Sequence, residues 1–284
     1  MVIINMIGGL GNQLFSYAFG RSMALRRNEG LKFDLSWYDV THSGAIPREY
    51  VMSQYMIQGE QATEAEISAN EPGKAMYYWD KVVRRLAPDY HIRCHQRIKN
   101  SKRVYFKGFF QSYKYFEEYR DIICQELTLR NELSGKALEM EKEIVNSNSV
   151  SVHVRRGDVV TNKKVNETFG LVPMEYYERA LKYLSEKVEN PKFFIFTDDH
   201  QWVRDSFKLP YDLVIVSGNG FHETVDMHLM SKCKHNIIAN STFSWWGAWL
   251  NRNIDKIVVM PDRWFIKKNL GKDNDFIPAG WIRL

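Results

Sequence analysis

The sequence predicts an α/β protein built from two parallel sheets covered by helices, and three observations predict it. Strand-like and helix-like patterns alternate along the chain, the arrangement of a sheet with helical crossovers. The length, 284 residues, suits two domains of ordinary size. Several apolar runs end in glycine-rich or polar clusters, where the carboxyl ends of parallel strands bind ligands.

Residues 2–6, VIINM, open as a strand and GGLGN is a turn. The spacing of Leu14, Tyr17, Ala18, Met23 and Leu25 predicts a helix that Gly30 ends, and LKFDL is a second strand. Residues 36–60 are irregular and aromatic-rich. Helices are expected near 61–69 and 74–87, a strand at VYFKGFF, and helices near 112–127 and 131–146. A polar break at Asn146–Asn148 divides the chain into domains 1–147 and 148–284. In the second domain Val150, Val152 and Val154 alternate as a strand. A helix near 173–188, KFFIFT, a helix near 199–207 and DLVIV follow, then a helix near 222–233, HNIIA, a helix near 242–252 and KIVVM. Such a succession is a nucleotide-binding type of domain.

The chain is 44% hydrophobic and 26% charged, which is globular composition. Its net charge of +5 is mild and points to no nucleic-acid partner. Basic residues gather at Lys81–Arg85 and Arg93–Arg103, as solvated faces or as a peripheral contact with the anionic inner membrane surface. Cys94, Cys124 and Cys233 have neither pairing nor metal-ligand spacing, so a reducing compartment and no structural metal are expected. MVIINMIGG lacks the basic lead-in and cleavage site of a signal peptide, and no apolar run is long enough to span a membrane; a cytoplasmic protein is the expectation.

Four constellations could carry chemistry. Gly8-Gly9-Leu10-Gly11-Asn12-Gln13 lies between a strand and a helix, where backbone approaches a ligand closely and unpaired N–H groups face an anion. With Asp34 as a ribose acceptor it is half of a dinucleotide fingerprint, but Leu14 occupies the third glycine position. A tight turn or a polar clamp are the other readings. His153-Val-Arg155-Arg156-Gly-Asp158 places two guanidiniums at a strand end. One can fork onto a phosphate while the other braces against a carboxylate such as Asp158. Phe196-Thr-Asp198-Asp199 offers a carboxylate to the N1–H and exocyclic amine of guanine, or a helix N-cap. Asn240-Ser241-Thr242-Phe-Ser244 offers hydroxyls and a helix start to phosphate oxygens, with N-capping as the alternative. The glycosylation pattern Asn240-Ser-Thr would block such a junction.

GGLGNQLFSYA, HVRRGD, FTDD and ANSTFSWWGAW occur together and in order, and together they resemble the bacterial α-1,2-fucosyltransferases of glycosyltransferase family 11. The resemblance implies a GT-B architecture, two Rossmann-like doubly wound domains facing across a cleft. It also implies inverting, metal-independent transfer of L-fucose from GDP-fucose to the 2-hydroxyl of a galactose-terminated acceptor, with no cofactor. Under it His153 and one of Asp198 or Asp199 read guanine and ribose, and Arg155 meets the β-phosphate. Arg156 holds the loop or shares the diphosphate. Asn240, Ser241, Thr242 and Ser244 belong to the donor site, with Gly9, Gly11 and Gln13 of the glycine turn, and Asn12 reaches the donor sugar or diphosphate. Trp37, Tyr38, His42 and Tyr50 are the acceptor-site candidates.

Cleavage of the fucose–phosphate bond leaves negative charge on GDP, a charge assigned to Arg155. Asp158, Asp34 and His153 are nominal general bases, and the sequence selects none. Three other readings remain: fucose transfer in another linkage, a nicotinamide-dependent oxidoreductase using Gly9, Gly11 and Asp34, and a non-catalytic nucleotide-sugar-binding module.

Overall fold

A computed structural model describes residues 1–40, 47–71, 102–266 and 276–284. The chain divides into two compact units: the described residues of Met1–Thr128 with Asn274–Ile277, and those of Leu129–Asp273 with Pro278–Leu284.

The first unit holds β1 (Val2–Asn5), α1 (Leu10–Arg27), β2 (Leu31–Asp34), β3 (Glu60–Gln61), α2 (Glu64–Asn70), β4 (Tyr105–Phe106) and α3 (Arg120–Glu126). Its sheet is parallel in the order β3-β2-β1-β4. Every residue of β1 is buried. Helix α1 ends at Asn28, whose left-handed φ of 52° closes it two residues before Gly30, the stop expected from sequence. The helix expected at 61–69 starts at Glu64 behind a capping box, Thr63 with Glu66. The span expected as one helix over 112–127 contains two 3-10 turns before α3. The helix expected near 74–87 lies outside the described residues.

The second unit begins earlier than the polar break at 146–148. Helix α4 (Gly135–Val145) belongs to it because Ile144 is fully buried in a cluster with Phe194, Phe196, Leu229, Met230 and Cys233. Then come β5 (Asn148–Val154), α5 (Gly157–Thr161), α6 (Lys163–Phe169), α7 (Met174–Ser185), β6 (Pro191–Thr197), α8 (His200–Ser206) and β7 (Leu213–Ile215). The unit ends with α9 (Glu223–Lys232), β8 (His235–Ile237), α10 (Thr242–Leu250), β9 (Val258–Met260) and β10 (Ile282–Arg283). The six strands are parallel in the order β10-β9-β8-β5-β6-β7. Counted within the unit this is the doubly wound order 3-2-1-4-5-6, which reverses direction between β5 and β8 and opens a crevice there.

Alternation along β5 sets both faces of this sheet. Val150, Val152 and Val154 pack with Tyr176, Tyr177, Ala180, Leu181 and Leu184 of α7. Ser149, Ser151 and His153 take the opposite phase, where Ser151 Oγ accepts from Asn236 Nδ2 at 2.7 Å. Cys124 and Cys233 are buried thiols. No helix among the described residues is long and apolar enough to cross a membrane.

Candidate active site

The carboxyl ends of β5 and β8 carry the HVRRGD and ANSTFS segments, so two of the four constellations meet at the switch point of the second sheet. Asp158 accepts from Arg155 Nε at 3.0 Å and from Nη2 at 2.8 Å, and the Asn240 carbonyl accepts from Nη1 at 3.0 Å. The guanidinium lies 5.0 Å from the centre of the Phe169 ring. Three of its five N–H donors are thereby engaged, leaving one on each terminal nitrogen.

Arg156 is held separately. Its Nε donates to Asp199 Oδ2 at 3.0 Å and its guanidinium sits 4.1 Å over Trp202. The Arg156 backbone N–H donates to Asp198 Oδ1 at 2.7 Å. Both arginines are braced by a carboxylate, where the sequence assigned bracing to one. Gly157 is required by this packing: a Cβ there would come within 2.8 Å of Asp198 Oδ2.

The two acids of FTDD divide their work. Asp199 caps α8, accepting from the Trp202 N–H at 3.1 Å, and that bond, with Arg156, holds its carboxyl below the usual range. Asp198 is exposed and supports the Arg156 backbone. His153 is buried, and desolvation pushes its pKa down to about 4, against the opposing pull of Asp198. Its ring packs on Phe243 at 5.5 Å, and its buried Nδ1 has no partner among the described residues.

The ANSTFS junction is more structural than its hydroxyl content suggests. Ser244 is fully buried, donating to the carbonyls of Ala239 and Ser241 at 3.3 Å. Ser241 caps α10 through the Phe243 N–H. Asn240 is buried, and its Nδ2 donates to the carbonyls of Phe169 at 2.7 Å and Gly170 at 3.2 Å. The side-chain nitrogen of the glycosylation pattern is therefore engaged inside the unit. Thr242, half-buried at the first position of α10, is the hydroxyl left nearest the helix start.

An acidic group also escaped the sequence. Asp226, in the first turn of α9, accepts from Ser217 Oγ at 2.6 Å, and Ser217 Oγ in turn accepts from the Thr197 N–H at 3.1 Å. Its Oδ1 is buried without a partner among the described residues, and desolvation raises its pKa to about 6. A carboxylate in a first helical turn reads simply as a complement to the dipole, so nothing in the sequence marks it.

In the first unit, Gly9 is the N-cap of α1, whose first turn carries no acidic residue and no side-chain cap. Gly11 is buried within the helix. Gln13 is fully buried and spent on backbone: it donates to the carbonyls of Gly8 and Glu49 and accepts from the Val51 N–H. Its amide pins the loop over the turn, so its side chain has nothing left for a ligand. Asp34 is 1% exposed and accepts from Asn5, Tyr105 and the Ser36 N–H, which leaves no free oxygen for a ribose. Asn12 is half-buried beside the turn, and its Oδ1 accepts from Gln111 Nε2 at 2.9 Å.

Three acceptor candidates gather nearby. Trp37 and Tyr38 meet edge to face at 4.9 Å, Tyr38 and Tyr50 lie tilted at 6.1 Å, and Tyr38 donates to the Gly8 carbonyl at 3.1 Å. Burial raises the Tyr50 pKa to about 12. His42 lies outside the described residues, as do Cys94 and most of the basic stretches.

Residues 78–284 match the family model described as Glycosyl transferase family 11. The whole chain is 35% identical to an alpha-1,2-colitosyltransferase of Escherichia coli, over 99% of that protein. It is 28% identical to galactoside alpha-(1,2)-fucosyltransferase 2 of Rattus norvegicus, over 94% of this chain and 72% of that one. In fold it is similar to the NodZ alpha-1,6-fucosyltransferase co-crystallized with GDP, with a TM-score of 0.53 at 19% identity over 87% of this chain and 90% of that one.

Proposed function

Because the chain belongs to glycosyltransferase family 11 and is a glycosyltransferase of the GT-B type, we propose that it is an inverting α-1,2-fucosyltransferase. It moves L-fucose from GDP-fucose to the 2-hydroxyl of a terminal galactose. The observation that carries this reading is Arg155, fixed at the switch point by Asp158 and Asn240 with donors remaining on both terminal nitrogens.

Departure of GDP concentrates negative charge on the β-phosphate. A guanidinium already held in place stabilises that charge without reorganising, and the start of α10 with Thr242 adds N–H and hydroxyl donors. We assign this neutralisation to protein groups alone, with no metal or other cofactor. Asp226 supports the guanine assignment better than Asp198 or Asp199 does, because an unpaired buried carboxyl oxygen suits the N1–H and amine of guanine. Neutral His153 can share that recognition through Nδ1.

Two of the three nominal bases are committed elsewhere and the third is buried. Both oxygens of Asp158 face Arg155, Asp34 is buried with its oxygens engaged, and His153 is buried. A transition state with oxocarbenium character lets the acceptor hydroxyl attack before it loses its proton, so late deprotonation fits these commitments. The Trp37, Tyr38 and Tyr50 cluster offers an apolar face to a sugar. We place the reaction in the cytoplasm, with an acceptor glycan free or lipid-linked at the inner membrane surface.

The full-length likeness to a colitosyltransferase favours a second reading. Colitose is fucose without its 3-hydroxyl, so the same pocket would take either GDP-sugar. The deciding experiment measures GDP release from GDP-fucose and GDP-colitose, with a metal chelator present, against lactose, N-acetyllactosamine and Galβ1,3GalNAc. Acceptor-dependent release from GDP-fucose is expected. Release from GDP-colitose alone makes the second reading the right one, and absence of GDP binding defeats both.

A further inference from the structure

Two neighbouring residues after β4 grip one stripe of α1. Phe110 has φ 44°, a left-handed conformation that is strained for an aromatic residue and persists only where its surroundings impose it. Its ring stacks on the buried Phe19 of α1, centroids 3.9 Å apart and planes within 3°. The next residue, Gln111, donates from Nε2 to Asn12 Oδ1 at 2.9 Å. Asn12 and Phe19 are seven residues apart, two turns along the same face of α1. Residues 110 and 111 therefore hold that face at two points, one apolar and one polar.

The polar point has a direction. A Cβ at Gly8 would lie 2.8 Å from Asn12 Nδ2, so the amide nitrogen rests over the glycine turn, and Gly8, with φ 74°, leaves room for it. Asn12 Nδ2 donates to none of the described residues, whereas Oδ1 is occupied by Gln111.

We infer that Gln111 is a positioning residue: it holds the Asn12 carboxamide with its oxygen turned inward and its NH2 presented as a donor. The substrate group Asn12 meets is then an oxygen acceptor, of the class carried by phosphates and sugars, and not a hydroxyl acting as donor. This rests on the transfer reading above and adds the polarity of one contact within it.

Gln111→Ala, Gln111→Glu, Asn12→Ala and the double variant Asn12→Ala/Gln111→Ala are assayed for GDP release and thermal unfolding. Gln111→Ala should lower kcat/KM about tenfold, the loss of roughly one hydrogen bond's worth of orientation. It should leave the unfolding midpoint within a few degrees, and it should add nothing to the loss in Asn12→Ala. Gln111→Glu should lose more at neutral pH, because a carboxylate captures Nδ2 and turns Oδ1 outward. Its rate relative to wild type should recover as pH falls from 7 toward 4, through the carboxyl's ordinary range, and the protonated carboxyl donates again. Additive losses, or a Gln111→Glu profile parallel to wild type, overturn the inference. If wild type releases no GDP, the transfer reading fails by itself. The Asn12 side-chain amide protons then decide this proposal: their nuclear Overhauser contact with Gly8, which the present orientation brings close, should weaken in Gln111→Ala, and an unchanged contact sinks it.

Discussion

Arg155 acts through what holds it. Under the proposed assignment, replacing it by Ala removes charge stabilisation made chiefly in the transition state, with an expected cost of about 3 kcal/mol or more in activation energy. Lys should rescue poorly, because a point charge cannot satisfy Asp158, the Asn240 carbonyl and a phosphate together. Near-normal turnover of either variant contradicts the assignment. Asn240→Ala tests the support: it keeps the carbonyl but frees the Phe169–Gly170 backbone, and with it the ring beneath the guanidinium. Turnover should fall at least tenfold, and GDP binding less. Asp226 makes a pH prediction of definite sign. Its folded pKa, about 6, exceeds the ordinary 3.8, so lowering the pH through 6 toward 4 favours the folded state through this group. His153 does the reverse: its pKa of about 4 lies below 6.5, so the same fall in pH disfavours folding. Asp226→Asn should therefore unfold at a higher urea concentration than wild type at pH 7, and this advantage should shrink toward pH 4.5. An advantage independent of pH contradicts the burial argument. His153, Arg155 and Asp158 were legible because they crowd one strand end. Asp226, Gln111 and Phe169 were not, since each matters only through a neighbour distant in sequence.

At the scale of elements, the turn from β5 into α5 and the contact of α9 with α10 both depend on a missing side chain. Gly157→Ala should push Asp198 away from the Arg156 N–H and weaken GDP binding, with circular dichroism unchanged. Gly247 in α10 faces Met230 so closely that a Cβ would lie 2.3 Å from Sδ and 2.7 Å from Cγ. Ala there should destabilise the protein by about 1–3 kcal/mol of overpacking, more than its gain in helix propensity, read as a lower midpoint in thermal unfolding. Alternation along β5 and the continuous apolar run Phe193–Phe196 of β6 made both visible in the sequence, seven residues each. The edge strands β3 and β10 have two residues each and no pattern to detect. The helices α5 and α6 were missed because GDVVTNKKVNETF lacks an apolar stripe; capping of α6 by Asn162, not burial, accounts for its start.

For the whole molecule, the alternation of patterns conveyed two parallel α/β units, but not where the first ends. A polar break looks like a boundary, whereas the chain divides where burial changes partners, at α4. Ligand linkage can test the site assignment at this scale. GDP at a hundred times its dissociation constant should stabilise the fold by about 2.7 kcal/mol. Slowed amide exchange should concentrate at residues 153–158, 197–199, 217–226 and 240–244, and protection confined to residues 1–40 would count against it. The helix that follows the ANSTFS junction supplies its own signal for such work. Trp245, Trp246 and Trp249 are buried in α10 with ring centres 5.1–6.1 Å apart. Indoles so close couple their electronic transitions, which gives near-ultraviolet circular dichroism a band that exists only once this helix has docked. Refolding of the second unit can thus be followed optically, without a label and before any nucleotide is added.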